Sequence, residues 1–131
     1  MKTALTLGPT TGNYTPAVRV GDLWYLSGQA AFDEAGGVVP GGIREQTAAT
    51  LENTRTLLSA AGLTLGDLVS VTVYLTSMAD WAGMNEVYGS FFPEGTILPA
   101  RTAVAVSGLA EGLLVEMTCI ADASGQGGGA A

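Results

Sequence analysis

The sequence contains no histidine and a single cysteine, Cys119. Without histidine, the chain lacks the side chain that most often acts as a general base near neutral pH and most often binds metals. One cysteine excludes an intrachain disulfide and leaves too few ligands for a zinc site within one chain. We therefore expect no metal centre and no histidine-based mechanism.

Positive charge is also scarce, because five cationic side chains stand against twelve acidic ones and the net charge is −7. Nucleic-acid-binding proteins use clustered lysine and arginine to displace counterions from phosphates, so the sequence predicts no nucleic-acid partner. No long apolar run follows the first four residues. We therefore expect neither a signal peptide nor a membrane span, and a cytoplasmic location.

Charged residues make up only 13% of the chain, whereas hydrophobic residues make up 47%. Monomers rarely leave large apolar areas in water, so this composition indicates that copies of the chain cover part of its surface. The 131 residues suffice for one core and one domain, which we place at residues 1–123. Residues 124–131 are rich in glycine and alanine, and we expect them to form a flexible tail.

Periodicity predicts two helices. The first covers residues 43–61 and is followed by Gly62 as a stop signal. The second begins at Asp80 as its N-cap and runs to about Phe92. The expected buried stripes are Leu51, Thr54, Leu58 and Ala61 in the first helix, and Trp81, Met84, Tyr88 and Phe91 in the second.

Six segments have the pattern of strands, and a two-residue turn at Gly21-Asp22 joins the second and third as a hairpin. They are residues 2–7, 17–20, 23–27, 68–76, 100–106 and 113–123. Alternation in the fourth places Val69, Val71, Val73 and Leu75 on one face and Ser70, Thr72 and Tyr74 on the other. Residues 28–42 are expected to be irregular. The sequence thus predicts an α+β fold, a mixed β-sheet of about six strands with two helices packed on one face.

Two charged residues interrupt apolar strands. Arg101 is either a carboxylate receptor, whose planar fork makes two parallel hydrogen bonds, or a surface charge paired with an acidic residue. Glu116 lies on the strand that we expect to pair with that of Arg101. It is either an acid–base group that orients a water molecule or the partner of Arg101 in a structural salt bridge.

Other candidate residues carry weaker signals. Ser27-Gly28 ends a strand at a glycine, which either lets a ligand approach the backbone closely or forms an ordinary turn. Tyr14 lies in a loop and either lines a pocket or only packs. Asn85 lies in mid-helix, where asparagine has poor propensity, and it is either exposed or reaches a site. Cys119 has no cation beside it in the sequence, so we expect an inert buried thiol.

Several segments, in this order, resemble the YjgF/RidA family. They are YTPAVRVGDLWYLSGQ (residues 14–29), Gln46, LEN (51–53), AAGL (60–63), GDLV (66–69), VYLT (73–76), NEVY (85–88), FF (91–92), PARTAV (99–104) and VE (115–116). The resemblance covers nearly the whole chain from Tyr14 to Ala121. Each segment alone is weak, but the ordered set is specific.

The resemblance implies a chorismate-mutase-like α+β fold and a homotrimer, whose sheets meet in a central barrel and whose sites lie between subunits. Family members of the deaminase type hydrolyse reactive 2-imino acids, such as 2-iminopropanoate and 2-iminobutanoate, to 2-oxo acids and ammonia without a cofactor. Fixing a carboxylate and presenting water to a C=N carbon is mainly a positioning task.

Six positions match residues at the family's site: Tyr14, Ser27, Gly28, Asn85, Arg101 and Glu116. The resemblance implies that Arg101 holds the substrate carboxylate and that Glu116 positions water near the imine carbon. Ser27 and Gly28 correspond to strand-end groups near the ligand, Tyr14 to a pocket aromatic and Asn85 to a residue facing the cleft. Ala103 departs from the family, whose deaminases often carry cysteine at this position, so a role tied to that thiol is absent here.

Two other functions are open at this point. The chain could be a non-enzymatic module that binds small 2-oxo or amino acids, which would need Arg101 but no chemistry from Glu116. Ribonuclease or translation inhibition, which older names of the family suggest, is disfavoured by the acidic charge and the absence of histidine.

Overall fold

A computed structural model describes residues 1–5 and 12–128 of the chain. Its strands and helices are, in chain order, β1 (Thr3–Leu5), β2 (Ala17–Val20), β3 (Leu23–Leu26), β4 (Gln29–Ala30), α1 (Ile43–Ala60), β5 (Leu68–Leu75), α2 (Trp81–Ser90), β6 (Ala100–Ala105), β7 (Val115–Asp122) and α3 (Ser124–Gly128). Two 3-10 turns, Leu65–Asp67 and Met78–Asp80, precede β5 and α2. No helix in this described part is both long and apolar enough to cross a membrane.

The seven strands form one mixed sheet in the order β1-β2-β3-β7-β5-β6, and the short β4 also pairs with β7. Every pairing is antiparallel except that of β5 with β6, which is parallel. Helix α2 supplies the crossover that a parallel pair requires. The α+β class with a mixed sheet, as the sequence predicts, is thus present.

Both long helices pack on the same face of the sheet. Leu51 and Leu58 of α1 and Met84 of α2 share one core cluster with the buried face of the sheet. The sheet side of that cluster includes Val71, Val73, Leu75, Val115, Met117 and Cys119. Side chains on the opposite face, such as Thr72 and Thr118, are only half-buried in the single chain.

Helix α1 ends as the sequence predicts. Gly62 adopts a left-handed backbone with φ of 77°, a conformation that glycine adopts without the cost of a Cβ. The Leu63 N–H donates to the Leu58 carbonyl at 2.9 Å, and the Leu63 side chain is buried. The stop therefore turns the chain toward β5 and adds a residue to the core.

The predicted alternation in β5 is wrong at Val69. The pairing register with β7 shifts between Leu68 and Ser70, and such an irregularity turns one side chain away from its expected face. Val69 is 42% exposed, whereas Leu68 is 3% exposed and takes the buried place. From Val71 onward the alternation agrees with the prediction.

The strand of Glu116 does not pair with the strand of Arg101, so that expectation is also wrong. Strand β5 lies between them, with Val71 opposite Arg101 on one side and Tyr74 opposite Glu116 on the other. The chain reaches β6 from β5 through α2 and therefore adds β6 at the free edge of β5. Strand β7 pairs with β5 through contacts between residues far apart in the sequence, and no local pattern indicates this pairing.

Two local expectations are adjusted. Asp80 stands at the start of α2 but makes no side-chain cap hydrogen bond, because the preceding 3-10 turn already brings the chain in with helical geometry. The cap in this region belongs to Ser77, whose hydroxyl accepts from the Ala79 N–H at 3.1 Å. The region expected to be irregular contains β4 and a bridge between Phe32 and Val38.

The ends of the chain are described in part. Residues 6 and 7 of the first predicted strand and residues 129–131 of the predicted tail lie outside the described residues. The described start of the tail forms the short helix α3. The Gln126 side chain donates to the Ala61 carbonyl at 2.9 Å, so this part contacts the end of α1. Flexibility of the tail stays a prediction.

Replacing Leu51 with alanine is expected to lower the free energy of unfolding by about 2–5 kcal/mol, the usual cost of a large-to-small change in a core. Leu51 is fully buried in the cluster between α1 and the sheet. Ser59→Ala on the exposed side of the same helix is the matched control and should change stability by less than about 0.5 kcal/mol. Urea unfolding at one fixed protein concentration measures both, and equal effects would contradict the assignment of the core.

Candidate active site

Arg101 lies on β6, the edge strand next to β5. Its register partner is Val71, and the next residue across the sheet from Val71 is Cys119 of β7. Both partners are fully buried under the helices, so Arg101 projects toward the helix-covered side. Because the strand is at the edge, the side chain is half-buried rather than enclosed.

Two aromatic rings of α2 contact the Arg101 guanidinium. Its Cζ atom lies 4.6 Å from the centroid of the Tyr88 ring and 5.8 Å from that of Trp81. Both distances fall within the range of cation–π attraction. The sequence pattern assigns these two residues only to the core stripe, so it misses their contact with Arg101.

Arg101 has no acidic partner among the described residues, unlike the other three arginines. Arg19 lies 3.4 Å from Asp22, Arg44 lies 2.9 Å from Glu86 and Arg55 lies 2.6 Å from Glu52, measured between nitrogen and oxygen atoms. The interpretation of Arg101 as a paired surface charge therefore does not hold for the described part of the chain. Its in-plane N–H donors are available for an anion.

Asn85 shares a helix face with the two rings. Residues 81, 85 and 88 follow the spacing of one face of a helix, and Asn85 is half-buried there. Burial raises the pKa of Tyr88 to about 12, although the positive charge of Arg101 partly opposes this increase. The phenol is therefore neutral near neutral pH. Arg101, Asn85 and the two rings form what we call the guanidinium group of the site.

Glu116 lies on the other face of the sheet. It stands between the buried residues Val115 and Met117 in the alternation of β7, and its register partner on β5 is Tyr74. The carboxylate lies so close to Gly28 that a Cβ atom at this position would overlap with Glu116 Oε2. Glycine at position 28 therefore permits this approach, whereas a side chain there would displace the end of the Glu116 side chain.

Ser27 fixes the end of β3 beside this carboxylate. Its hydroxyl donates to the Thr15 carbonyl at 2.6 Å, and its N–H donates to the Pro16 carbonyl at 2.9 Å. The Ser27 oxygen can still accept a hydrogen bond. Tyr14 precedes Thr15 in the same loop and is 53% exposed. Tyr14, Ser27, Gly28 and Glu116 form what we call the carboxylate group of the site.

The structure therefore divides the six predicted site residues into two groups. Arg101 and Asn85 lie on the helix-covered side of the sheet, whereas Glu116, with Gly28, belongs to the open side. A salt bridge between Arg101 and Glu116, one of the two interpretations of the sequence, is absent from the described part of the chain. One small ligand cannot contact both groups within a single chain, because the sheet separates them.

An open groove of about 290 Å³ is lined by residues outside the two groups of the site. Its lining residues are Arg55, Thr64, Leu65, Gly66, Phe91, Pro93 and Thr96. The guanidinium of Arg55 is paired with Glu52 and lies 5.2 Å from the Phe91 ring centroid. None of the six predicted residues lines this groove, and its cation already has a carboxylate, so it lacks the properties of an anion site.

Cys119 is expected to resist alkylation in the folded protein. It is buried in β7, and burial raises the pKa of its thiol to about 12. The thiolate is the reactive form, so the thiol stays protonated and unreactive at pH values near neutrality. Mass spectrometry after iodoacetamide treatment should find label only in urea-unfolded protein. Rapid labelling of the native protein would contradict the inert assignment.

Comparison with known proteins adds to this geometry. The family described as endoribonuclease L-PSP matches residues 5–123. A RutC family protein of Pyrococcus abyssi is 46% identical over 111 residues, which are 84% of this chain and 86% of that protein. The 2-iminobutanoate/2-iminopropanoate deaminase of Mus musculus is 40% identical over 111 residues, 84% of this chain and 81% of that protein.

The fold is also similar to that of a solved structure. The crystal structure of Escherichia coli TdcF with bound serine superposes with a TM-score of 0.82 at 34% identity, covering 88% of this chain and 91% of that one. The fold and the ordered motifs thus match the same set of proteins. The chain belongs to the YjgF/RidA family, which the matching family model describes as endoribonuclease L-PSP.

Proposed function

We propose that this protein hydrolyses reactive 2-imino acids, such as 2-iminopropanoate and 2-iminobutanoate, to 2-oxo acids and ammonia. The observation that carries the proposal is Arg101, a half-buried guanidinium that contacts two aromatic rings and has no acidic partner among the described residues. Such a group suits a small planar carboxylate, because the guanidinium fork can make two parallel hydrogen bonds to it.

Relatives support the substrate class. The mouse relative is named for 2-iminobutanoate and 2-iminopropanoate, and both compounds carry a carboxylate next to the C=N carbon. The TdcF structure contains serine, an amino acid that also carries a carboxylate. A receptor such as Arg101 would recognise the group that these molecules share.

Glu116 is the proposed base. Water adds to the imine carbon while Glu116 accepts its proton, and Glu116 then returns this proton to the nitrogen. The C–N bond of the tetrahedral intermediate breaks, ammonia leaves and the 2-oxo acid remains. The oxygen of Ser27, whose own proton is held by the Thr15 carbonyl, can accept a hydrogen bond from the attacking water or the imine nitrogen. The imine and one water molecule are consumed, and one 2-oxo acid and one ammonia are formed, so the reaction needs no redox partner.

The proposed site is assembled from two copies of the chain. Because the sheet separates the guanidinium group from the carboxylate group, Arg101 and Asn85 of one copy would meet Tyr14, Ser27, Gly28 and Glu116 of another. The half-buried open face of the sheet and the low charge content support a homotrimer that covers this face. Closed symmetry then repeats the same site at each interface.

The test is direct measurement of imine hydrolysis. A threonine dehydratase generates 2-iminobutanoate in a buffer where its spontaneous hydrolysis is slow, and release of 2-oxobutanoate is followed with and without this protein. We expect acceleration that increases with protein concentration. A folded oligomer of confirmed mass without any acceleration would overturn the proposal on this substrate.

A binding module is the alternative that the same experiment separates. Arg101 alone would suffice for a non-enzymatic protein that binds 2-oxo or amino acids. Calorimetric binding of 2-oxobutanoate without turnover of the imine would favour that module over the deaminase. Turnover that requires Glu116 would exclude it.

A further inference from the structure

Arg101 has no carboxylate partner among the described residues, so its positive charge must be stabilised in another way. A partly buried guanidinium loses hydration and needs compensation from its surroundings. We infer that Trp81 and Tyr88 are positioning residues, which hold the Arg101 guanidinium through their ring faces and leave its N–H donors to the ligand carboxylate. This inference rests on the proposed role of Arg101 as the carboxylate receptor.

The two rings provide a fixed support. Tyr88 is only 5% exposed, and its ring packs against Phe92 with 5.0 Å between centroids and an interplanar angle of 41°. Both Tyr88 and Trp81 belong to one helix, and Met84 between them is fully buried. Tyr88 therefore has little freedom to move, and the guanidinium 4.6 Å from its centroid rests on a rigid surface.

An aromatic support differs from an acidic one in what it leaves free. A carboxylate partner would accept the same in-plane N–H bonds that a substrate carboxylate needs, so ligand and partner would compete. A ring face attracts the cation without accepting those bonds. Arg55 illustrates the contrast, because it contacts Phe91 but is also bound by Glu52.

We expect the ring of Tyr88, rather than its hydroxyl, to position the Arg101 guanidinium. The hydroxyl oxygen is buried and has no hydrogen-bond partner among the described residues. Removing it should therefore leave the position of Arg101 unchanged, and loss of an unpaired buried group does not weaken folding. Tyr88→Phe, which keeps the ring, should therefore behave differently from Tyr88→Leu, which removes it.

The experiment compares Tyr88→Phe, Tyr88→Leu and Trp81→Leu with the wild type. We expect both leucine variants to raise KM for the imine and Kd for 2-oxobutanoate by roughly 3- to 30-fold, the range of cation–π contacts. We expect kcat to change by less than about twofold, since the lost contact affects substrate and transition state alike. Tyr88→Phe should remain within about twofold of the wild type in all three quantities.

Two controls distinguish positioning from general packing. In an Arg101→Ala background, Tyr88→Leu should have no further effect on Kd, because the group that it positions is gone. Phe91→Leu removes an arginine-contacting ring at the far groove and should leave KM unchanged.

Several results would overturn the inference. They are an equal loss in Tyr88→Phe and Tyr88→Leu, unchanged Kd in folded leucine variants, and a further loss of affinity in the Arg101→Ala background. If Tyr88→Leu fails to fold, the Trp81→Leu variant tests the inference instead, because Trp81 is only half-buried and its replacement disturbs the core less. Binding of 2-oxobutanoate is measured without turnover, so failure of the deaminase proposal and failure of this inference give different results.

Discussion

Replacing Arg101 with alanine is expected to lower kcat/KM for 2-imino acid hydrolysis by about 10²–10⁴-fold, because two hydrogen bonds to a charged group contribute about 1.5–3 kcal/mol each. The loss should include weaker binding of 2-oxobutanoate, which carries the same carboxylate. Folding should be little affected, since Arg101 lies at the sheet edge and makes no salt bridge in the described part of the chain. Steady-state kinetics with the dehydratase-coupled assay measures the effect.

Arg55→Ala is the matched control for this variant. Arg55 also contacts an aromatic ring, Phe91, at 5.2 Å, but its charge is paired with Glu52. Its loss should change kcat/KM by less than about twofold, as expected for a surface residue away from the site. Arg101→Lys keeps the charge but loses the planar fork, so it should fall between the wild type and Arg101→Ala. Wild-type activity in Arg101→Ala would remove the basis of the proposed function.

Much of the fold follows from local sequence. The hairpin around Gly21 and the stop of α1 at Gly62 are set by turn chemistry, and both helices follow from apolar spacing. The pairing of β7 with β5 and the irregularity at Val69 depend on contacts far apart in sequence. Local patterns contain no information about those contacts, so the predicted neighbour of β6 and the predicted orientation of Val69 were wrong.

The site residues also differ in whether the sequence alone identifies them. Arg101 and Glu116 are identifiable because each places a charge in an apolar strand, and Gly28 because it follows a strand end. Trp81 and Tyr88 are not, since their helical spacing is the same as that of ordinary core residues. Their contact with Arg101 becomes visible only when β6 is placed at the edge of the sheet beside α2.

Replacing Glu116 with glutamine is expected to lower kcat by about 10²–10⁴-fold, the usual contribution of a well-placed general base. The amide keeps the shape of the side chain against Gly28 but cannot accept the proton of water. Kd for 2-oxobutanoate should stay near the wild-type value, because Arg101 is intact. Equal losses of binding and turnover would instead assign Glu116 to binding. Asp122→Asn is the control and should keep kcat, because Asp122 lies on the same strand but accepts hydrogen bonds from Ser124 instead.

Mixing the two inactive variants tests whether the site joins two copies. When Arg101→Ala and Glu116→Gln chains are co-expressed, some sites receive Arg101 from one chain and Glu116 from the other, and random assembly of a symmetric oligomer makes these about a quarter of all sites. We expect about that fraction of wild-type activity to return, whereas each variant alone stays inactive. Native mass spectrometry verifies the mixed oligomers. Their presence without recovered activity would show that the two residues do not act together at one interface.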